Sequence, residues 1–79
     1  MDIMKKEKSL CELAVGCGGR VRALRATGAQ RRRLLDVGFY IGAFVSCVGK
    51  SPMGNPRAYL IGGMEIAIRK KDAEQIIIE

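Results

Sequence analysis

The chain has no histidine and only two prolines, and aromatic residues fill just 5% of its 79 positions. The absence of histidine removes the commonest metal ligand and the side chain that titrates nearest neutrality. No Cys-x-x-Cys pair takes its place, so local spacing offers no zinc or iron motif. With so few rings, the core must be built from Val, Ile, Leu and Met. The longest uncharged stretch, Val37 to Gly49, falls well short of the roughly 20 apolar residues that span a bilayer as a helix. Met1 to Lys8 is charged and lacks the apolar centre of a secretory signal. Three cysteines, Cys11, Cys17 and Cys47, cannot all pair with one another and do not make a disulfide framework. These absences predict a cytoplasmic protein in a reducing compartment. A chain of this length forms one domain with little room for a deep catalytic pocket. No acid/base or nucleophile constellation stands out, so the expectation is a binding module, not an enzyme, with no cofactor.

Acid is also missing from one long region. Between Leu13 and Leu35 there are six arginines and no Asp or Glu, within a chain of net charge +6. Such a face attracts nucleic acid, acidic lipid headgroups or an acidic protein, and charge alone does not choose among them.

What is present predicts short strands with one inserted helix. Met1 to Lys8 reads as a flexible tail and residues 9–79 as a single domain. Ser9-Leu10-Cys11-Glu12 has capping-box spacing for a short helical turn near 9–13, anchored by Leu10 and Leu13. Arg20 to Leu24 alternates as a first strand with Val21 inward. Thr27 to Gln30 is a second capping box, opening a helix over about 28–37 that Gly38 ends by adopting positive φ. That helix buries Leu34, Leu35 and Val37. A strand follows with Ala43, Val45 and Cys47 on one face and Phe44, Ser46 and Val48 on the other, both covered. Lys50 to Pro56 is a loop, and Arg57 to Ile61 resumes the sheet. Gly62-Gly63 marks a two-residue hairpin, after which Met64, Ile66 and Ile68 form an inward stripe. A polar helical turn near 71–75, with Asp72 as a cap, precedes the last strand, Ile76-Ile77-Ile78. Five strands with one helix predict a mainly β, SH3-like barrel.

Several residues carry alternative readings. Arg31-Arg32-Arg33 offers a docking surface for an acidic partner through bidentate carboxylate contacts, or simply a solvated helix face. Tyr40, Tyr59 and Met53 suit an adaptable recognition patch, or else Tyr59 packs within its sheet and Met53 is a plain loop residue. Gly49-Lys50-Ser51 imitates the end of a phosphate-binding loop, but Phe44 stands where that motif needs glycine and Pro52 follows instead of a helix. Cys11 and Cys17 form a soft-metal site only if they converge, while Cys47 points into the barrel.

Taken in order, Arg33-Leu34-Leu35-Asp36-Val37-Gly38, Gly42, Ser51-Pro52-Met53-Gly54-Asn55-Pro56, Ala67-Ile68-Arg69-Lys70-Lys71-Asp72-Ala73 and Ile76-Ile77-Ile78 resemble the ferrous iron transport protein A (FeoA) family over roughly Ser9 to Glu79. The resemblance implies a small cytoplasmic SH3-like domain that acts with FeoB, a membrane iron permease carrying a cytoplasmic GTP-binding domain. It implies a non-catalytic accessory role in bacterial ferrous iron uptake, in which the chain binds the permease and modulates its GTPase activity or assembly. The membrane is then reached only through the permease, at its inner face, with self-association a further option and no nucleic-acid partner expected. Asn55 and Arg57, in the loop that ends the third motif, complete the partner-binding candidates. Two alternatives stay open: an SH3-like module that binds nucleic acid or a metal-dependent transcription regulator, and an iron-binding chaperone.

Overall fold

A computed structural model describes residues 7–79. In chain order its elements are β1 (Lys8–Ser9), a 3-10 turn (Leu10–Glu12), β2 (Gly18–Leu24), α1 (Gly28–Val37), β3 (Phe44–Lys50), β4 (Arg57–Ile61), β5 (Met64–Ile68), α2 (Lys70–Ala73) and β6 (Ile76–Ile78). The strands are antiparallel neighbours in the order β1-β6-β2-β3-β4-β5. Strand β2 is shared between two halves of this sheet. Its residues Gly18 to Arg20 lie against Ser46 to Phe44 of β3, whereas Val21, Ala23 and Leu24 lie against Ile78, Ile77 and Ile76 of β6. Within the β6 pairing the register shifts at Arg22, between Val21 and Ala23, and such a bulge bends a strand and sharpens its twist, wrapping both halves round one core.

The sheet has six strands, not the expected five, because Lys8 and Ser9 pair with Ile78 and Ile77. A two-residue strand of one charged and one polar residue carries no alternation to detect. The expected tail over 1–8 falls outside the described residues except for Glu7, which pairs with Arg25, and Lys8, which belongs to β1.

The core gathers Leu10, Leu13, Val21, Leu34, Phe39, Val45, Cys47, Tyr59, Ile61, Ile76 and Ile78. Four expected burials fail. Leu35 is 38% exposed, because it follows Leu34 by 100° round the helix and only Leu34 faces the sheet. Phe44 is 55% exposed and Val48 also faces outward, so that face of β3 is open. In β5 the inward stripe holds only toward its end: Ile68 is buried, Ile66 half-buried and Met64 exposed.

Helix α1 has the expected bounds but a different start. Thr27 is its N-cap, yet the side chain makes no capping bond. Gln30 turns away as well, donating from Nε2 to Asp72 Oδ1 at 2.8 Å, with Arg33 Nη2 3.6 Å from the same oxygen. Its end is a Schellman motif. Gly38 N–H donates to the Leu35 carbonyl at 3.0 Å and Phe39 N–H to the Leu34 carbonyl at 3.0 Å. Gly38 has φ of +123°, a region in which a Cβ is strained, and the turn it permits drops Phe39 into the core.

Asp72 is not a cap. The N-cap of α2 is Arg69, and the free N–H of Lys70 donates instead to Asn55 Oδ1 at 2.9 Å, a cap supplied from the preceding loop. Replacing Asn55 with alanine is expected to cost about 1 kcal/mol, read as a lower urea midpoint, and Asn55→Asp to restore it, since both side chains accept at an N-cap.

Candidate docking surface

The open face of β3 borders a groove of about 360 Å³ between the end of α1 and the β4–β5 hairpin, lined by Val37, Tyr40, Phe44, Ile61, Gly62 and Met64. Its shape follows from local sequence. After the Schellman turn, Tyr40-Ile41-Gly42-Ala43 closes a β-turn, with Ala43 N–H donating to the Tyr40 carbonyl at 3.0 Å and Gly42 at φ +93°. Positive φ at the third position is the type II geometry that glycine supplies, and it leaves Tyr40 and Ile41 each 59% exposed. Phe44 is held on its outer side by two neighbours across the β2–β3 pairing. Its ring covers Gly18, where a Cβ would lie 2.6 Å from Phe44 Cζ. The Arg20 guanidinium sits 5.7 Å from the ring centroid while donating from Nη1 to the Gly42 carbonyl at 3.0 Å. Desolvated or not, such a stack fixes the ring against a cation and sets positive charge at the rim of an apolar groove.

A second cavity, of about 540 Å³, is lined by Cys11, Glu12, Met53, Asn55, Arg57 and Lys70, with Tyr59 at its base. The structure thus brings Met53, Asn55, Arg57 and Tyr59 together, but most of them already have structural work. Arg57 donates from Nη1 to the Leu13 carbonyl at 2.7 Å, and Asn55 caps α2. Tyr59 is wholly buried, its hydroxyl donating to the Leu10 carbonyl at 3.3 Å, so it packs within the sheet and cannot join an exposed patch with Tyr40. Burial raises its pKa from 10.0 to about 12, with the nearby Cys47 thiol adding to the rise and Arg57 opposing it. Met53 is 88% exposed.

The arginine run divides. Arg33 faces Asp72, while Arg31 and Arg32 are exposed, with no ion pair among the described residues. Cys47 is buried as expected, and Cys11 is half-buried with its sulfur 3.0 Å from Ser9 Oγ. Cys17 is exposed, and its backbone carbonyl accepts from Cys47 N–H at 2.9 Å. Among the described residues no three Cys, Asp or Glu side chains converge as a metal site. Also among these residues, no helix is long and apolar enough to cross a membrane. Phe44, Val37, Ile61 and Met64 escaped sequence reasoning as site residues because each looks like ordinary core. The signal available was small Gly18, diagonal to Phe44 across the pairing and covered by its ring, legible only once the strand register is known.

The family model described as the FeoA domain matches residues 8–79. The chain belongs to the FeoA family. This family is associated with ferrous iron transport and has the SH3-like fold. A FeoA-like protein of Clostridium acetobutylicum is 30% identical, with a TM-score of 0.86 over 96% of this chain and 88% of that one. The FeoA of Stenotrophomonas maltophilia, solved with zinc and described as a prokaryotic SH3 domain protein suggested to activate ferrous iron transport, is 29% identical. Its TM-score is 0.81, over 91% of this chain and 89% of that one. A Porphyromonas gingivalis protein that fuses Fe(2+) transport protein A to the Fe(2+) transporter FeoB is 30% identical over 70 residues. The match takes in 89% of this FeoA-family chain and spans 8% of the fusion.

Proposed function

We propose that this chain, through a single domain over 9–79, is a non-catalytic accessory protein of ferrous iron uptake that docks on the cytoplasmic part of a FeoB-type permease and modulates its GTPase activity or assembly. It works in the cytoplasm and reaches the membrane through that partner. The observation that carries this reading is the Porphyromonas gingivalis fusion, in which the two proteins share one chain. Covalent linkage turns an encounter into an intramolecular event at high effective concentration, which serves domains that act on one another.

The α1–β3 groove is the docking surface. Tyr40, Phe44 and Met64 give it aromatic and thioether anchors of the kind that dominate binding energy, and Arg20 at its rim favours an acidic partner over other surfaces. Its walls are held by the Schellman turn and the type II turn, so little order has to be gained on binding. The test is a titration of isotope-labelled protein with the soluble cytoplasmic domain of the cognate permease, with and without guanine nucleotide. Shifts localised to Tyr40, Phe44, Gly62 and Met64 are expected, and Phe44→Ala should weaken the complex about tenfold or more. Gly18→Ala, which must push the Phe44 ring aside, should weaken it while leaving the fold intact. An absence of shifts in every nucleotide state would overturn the proposal. Affinity for nucleic acid that survives physiological salt would favour the nucleic-acid reading instead.

A further inference from the structure

Strand β5 ends the sheet order and, among the described residues, pairs only with β4. Its other edge therefore carries backbone groups with no strand beside them. The hairpin decides which groups these are. Gly62-Gly63, both at positive φ, close a two-residue turn on the Ile61–Met64 pair. In such a turn the closing pair is hydrogen-bonded, and bonded pairs then alternate along the ladder. Met64, Ile66 and Ile68 thus direct their backbone groups to β4, and Glu65 and Ala67 direct theirs to the open edge. The side chains of Glu65 and Ala67 share one exposed face with Arg69, which continues the extended conformation at φ −74° and ψ 152°.

We propose that this edge pairs antiparallel with the same edge of a second copy of the chain, about a two-fold axis at Ala67. An axis at Ile66 or Ile68, whose backbone groups face β4, would set Glu65 or Arg69 opposite Ala67 and match no charges. An axis at Glu65 would set two glutamates directly opposite, which is unfavourable. An axis at Ala67 sets Glu65 opposite Arg69 of the other copy, twice, with two small alanines meeting between them. The backbone completes the match. The two Ala67 residues exchange N–H and C=O bonds, and each Arg69 N–H donates to the Glu65 carbonyl of the other copy. The Arg69 carbonyl already accepts from Asp72 and Ala73 N–H at 3.0 and 2.9 Å, which ends the pairing where α2 begins. Charges on an edge strand ordinarily repel other strands. Here their signs and spacing reject the Glu65-centred register and favour the Ala67-centred one, which makes the edge self-complementary. One short strand pair buries less than the roughly 1,200–2,000 Å² of a stable interface, so the dimer is weak and depends on concentration.

Sedimentation equilibrium over a concentration series tests this, using the wild type, Glu65→Arg, Arg69→Glu and the double swap. A reversible dimer is expected, with each single swap raising its dissociation constant about tenfold or more and the double swap restoring it. Ala67→Pro removes an outward N–H and none of the bonds to β4, and should abolish the dimer while amide spectra show an intact fold. A wild type that stays monomeric at every attainable concentration would overturn the proposal. So would a dimer indifferent to the single swaps, since it would use another surface.

Discussion

Phe39→Ala is expected to cost about 3–5 kcal/mol, the range for deleting a buried aromatic side chain. Phe39 is fully buried among Leu34, Val45 and Ile61 in the core cluster. A domain of this size commonly has only about 4–12 kcal/mol in total, at roughly 0.05–0.15 kcal/mol per residue, so the variant should be largely unfolded in mild denaturant. The loss is hard to soften by relaxation. Phe39 N–H is tied to the Leu34 carbonyl at 3.0 Å, so the backbone that carries the ring cannot sink into the space it leaves. Urea unfolding followed by circular dichroism reads the effect. Tyr40→Ala, at the next residue but exposed, supplies the contrast and should change stability by no more than about 0.5 kcal/mol.

The second large effect depends on pH. Tyr59 has its pKa raised from 10.0 to about 12, chiefly by burial. Below pH 10 the phenol is protonated in both folded and unfolded chains, and its contribution is intact. As pH climbs from 10 toward 12 the unfolded chain gives up the proton first, so it binds fewer protons than the folded one and stability falls. Two units correspond to about 2–3 kcal/mol lost by the top of that window. Tyr59→Phe removes this dependence. It also removes the hydroxyl's bond to the Leu10 carbonyl, worth about 1 kcal/mol, though that carbonyl keeps the Leu13 N–H at 3.1 Å. The variant should therefore be less stable than the wild type at neutral pH and more stable above pH 12, with the two curves crossing between. Urea midpoints measured for both chains across the alkaline range check it, because the two differ only in the phenol. Curves that stay parallel would show that the phenol ionises equally in both states.

The parts of the fold that were legible in sequence are those set by local chemistry. Gly38 announced the end of α1, because few other residues accept the required φ. Gly62-Gly63 announced the hairpin for the same reason, and three consecutive β-branched residues, Ile76-Ile77-Ile78, announced the last strand, in which all three are buried. The errors share a different cause. Local spacing gives Gln30 and Asp72 capping roles, yet they bond to one another across 42 residues, and Asn55 caps a helix 15 residues away. A spacing rule sees only neighbours in sequence. Leu35, Phe44 and Met64 read as inward because apolar residues at strand or helix spacing usually are. For Phe44 and Met64 the exposure reflects an uncovered face of the sheet, which depends on how the whole sheet curls. That same face holds the groove, so the least legible part of the fold is the part assigned to function.

The position of β6 has a consequence for how the chain is made. Ala23 and Leu24 in β2 and both residues of β1 find their strand partners in Ile76–Ile78. A ribosome synthesises those partners more than fifty residues after β2, so one half of the sheet stays open until the last strand clears the exit tunnel. The hairpin of β4 and β5 can close within microseconds of its appearance, at roughly 1–10 μs, whereas β1 and β2 wait on a long and slow loop closure. A nascent chain halted before Ile76 would lack the strand that completes the core behind the docking groove.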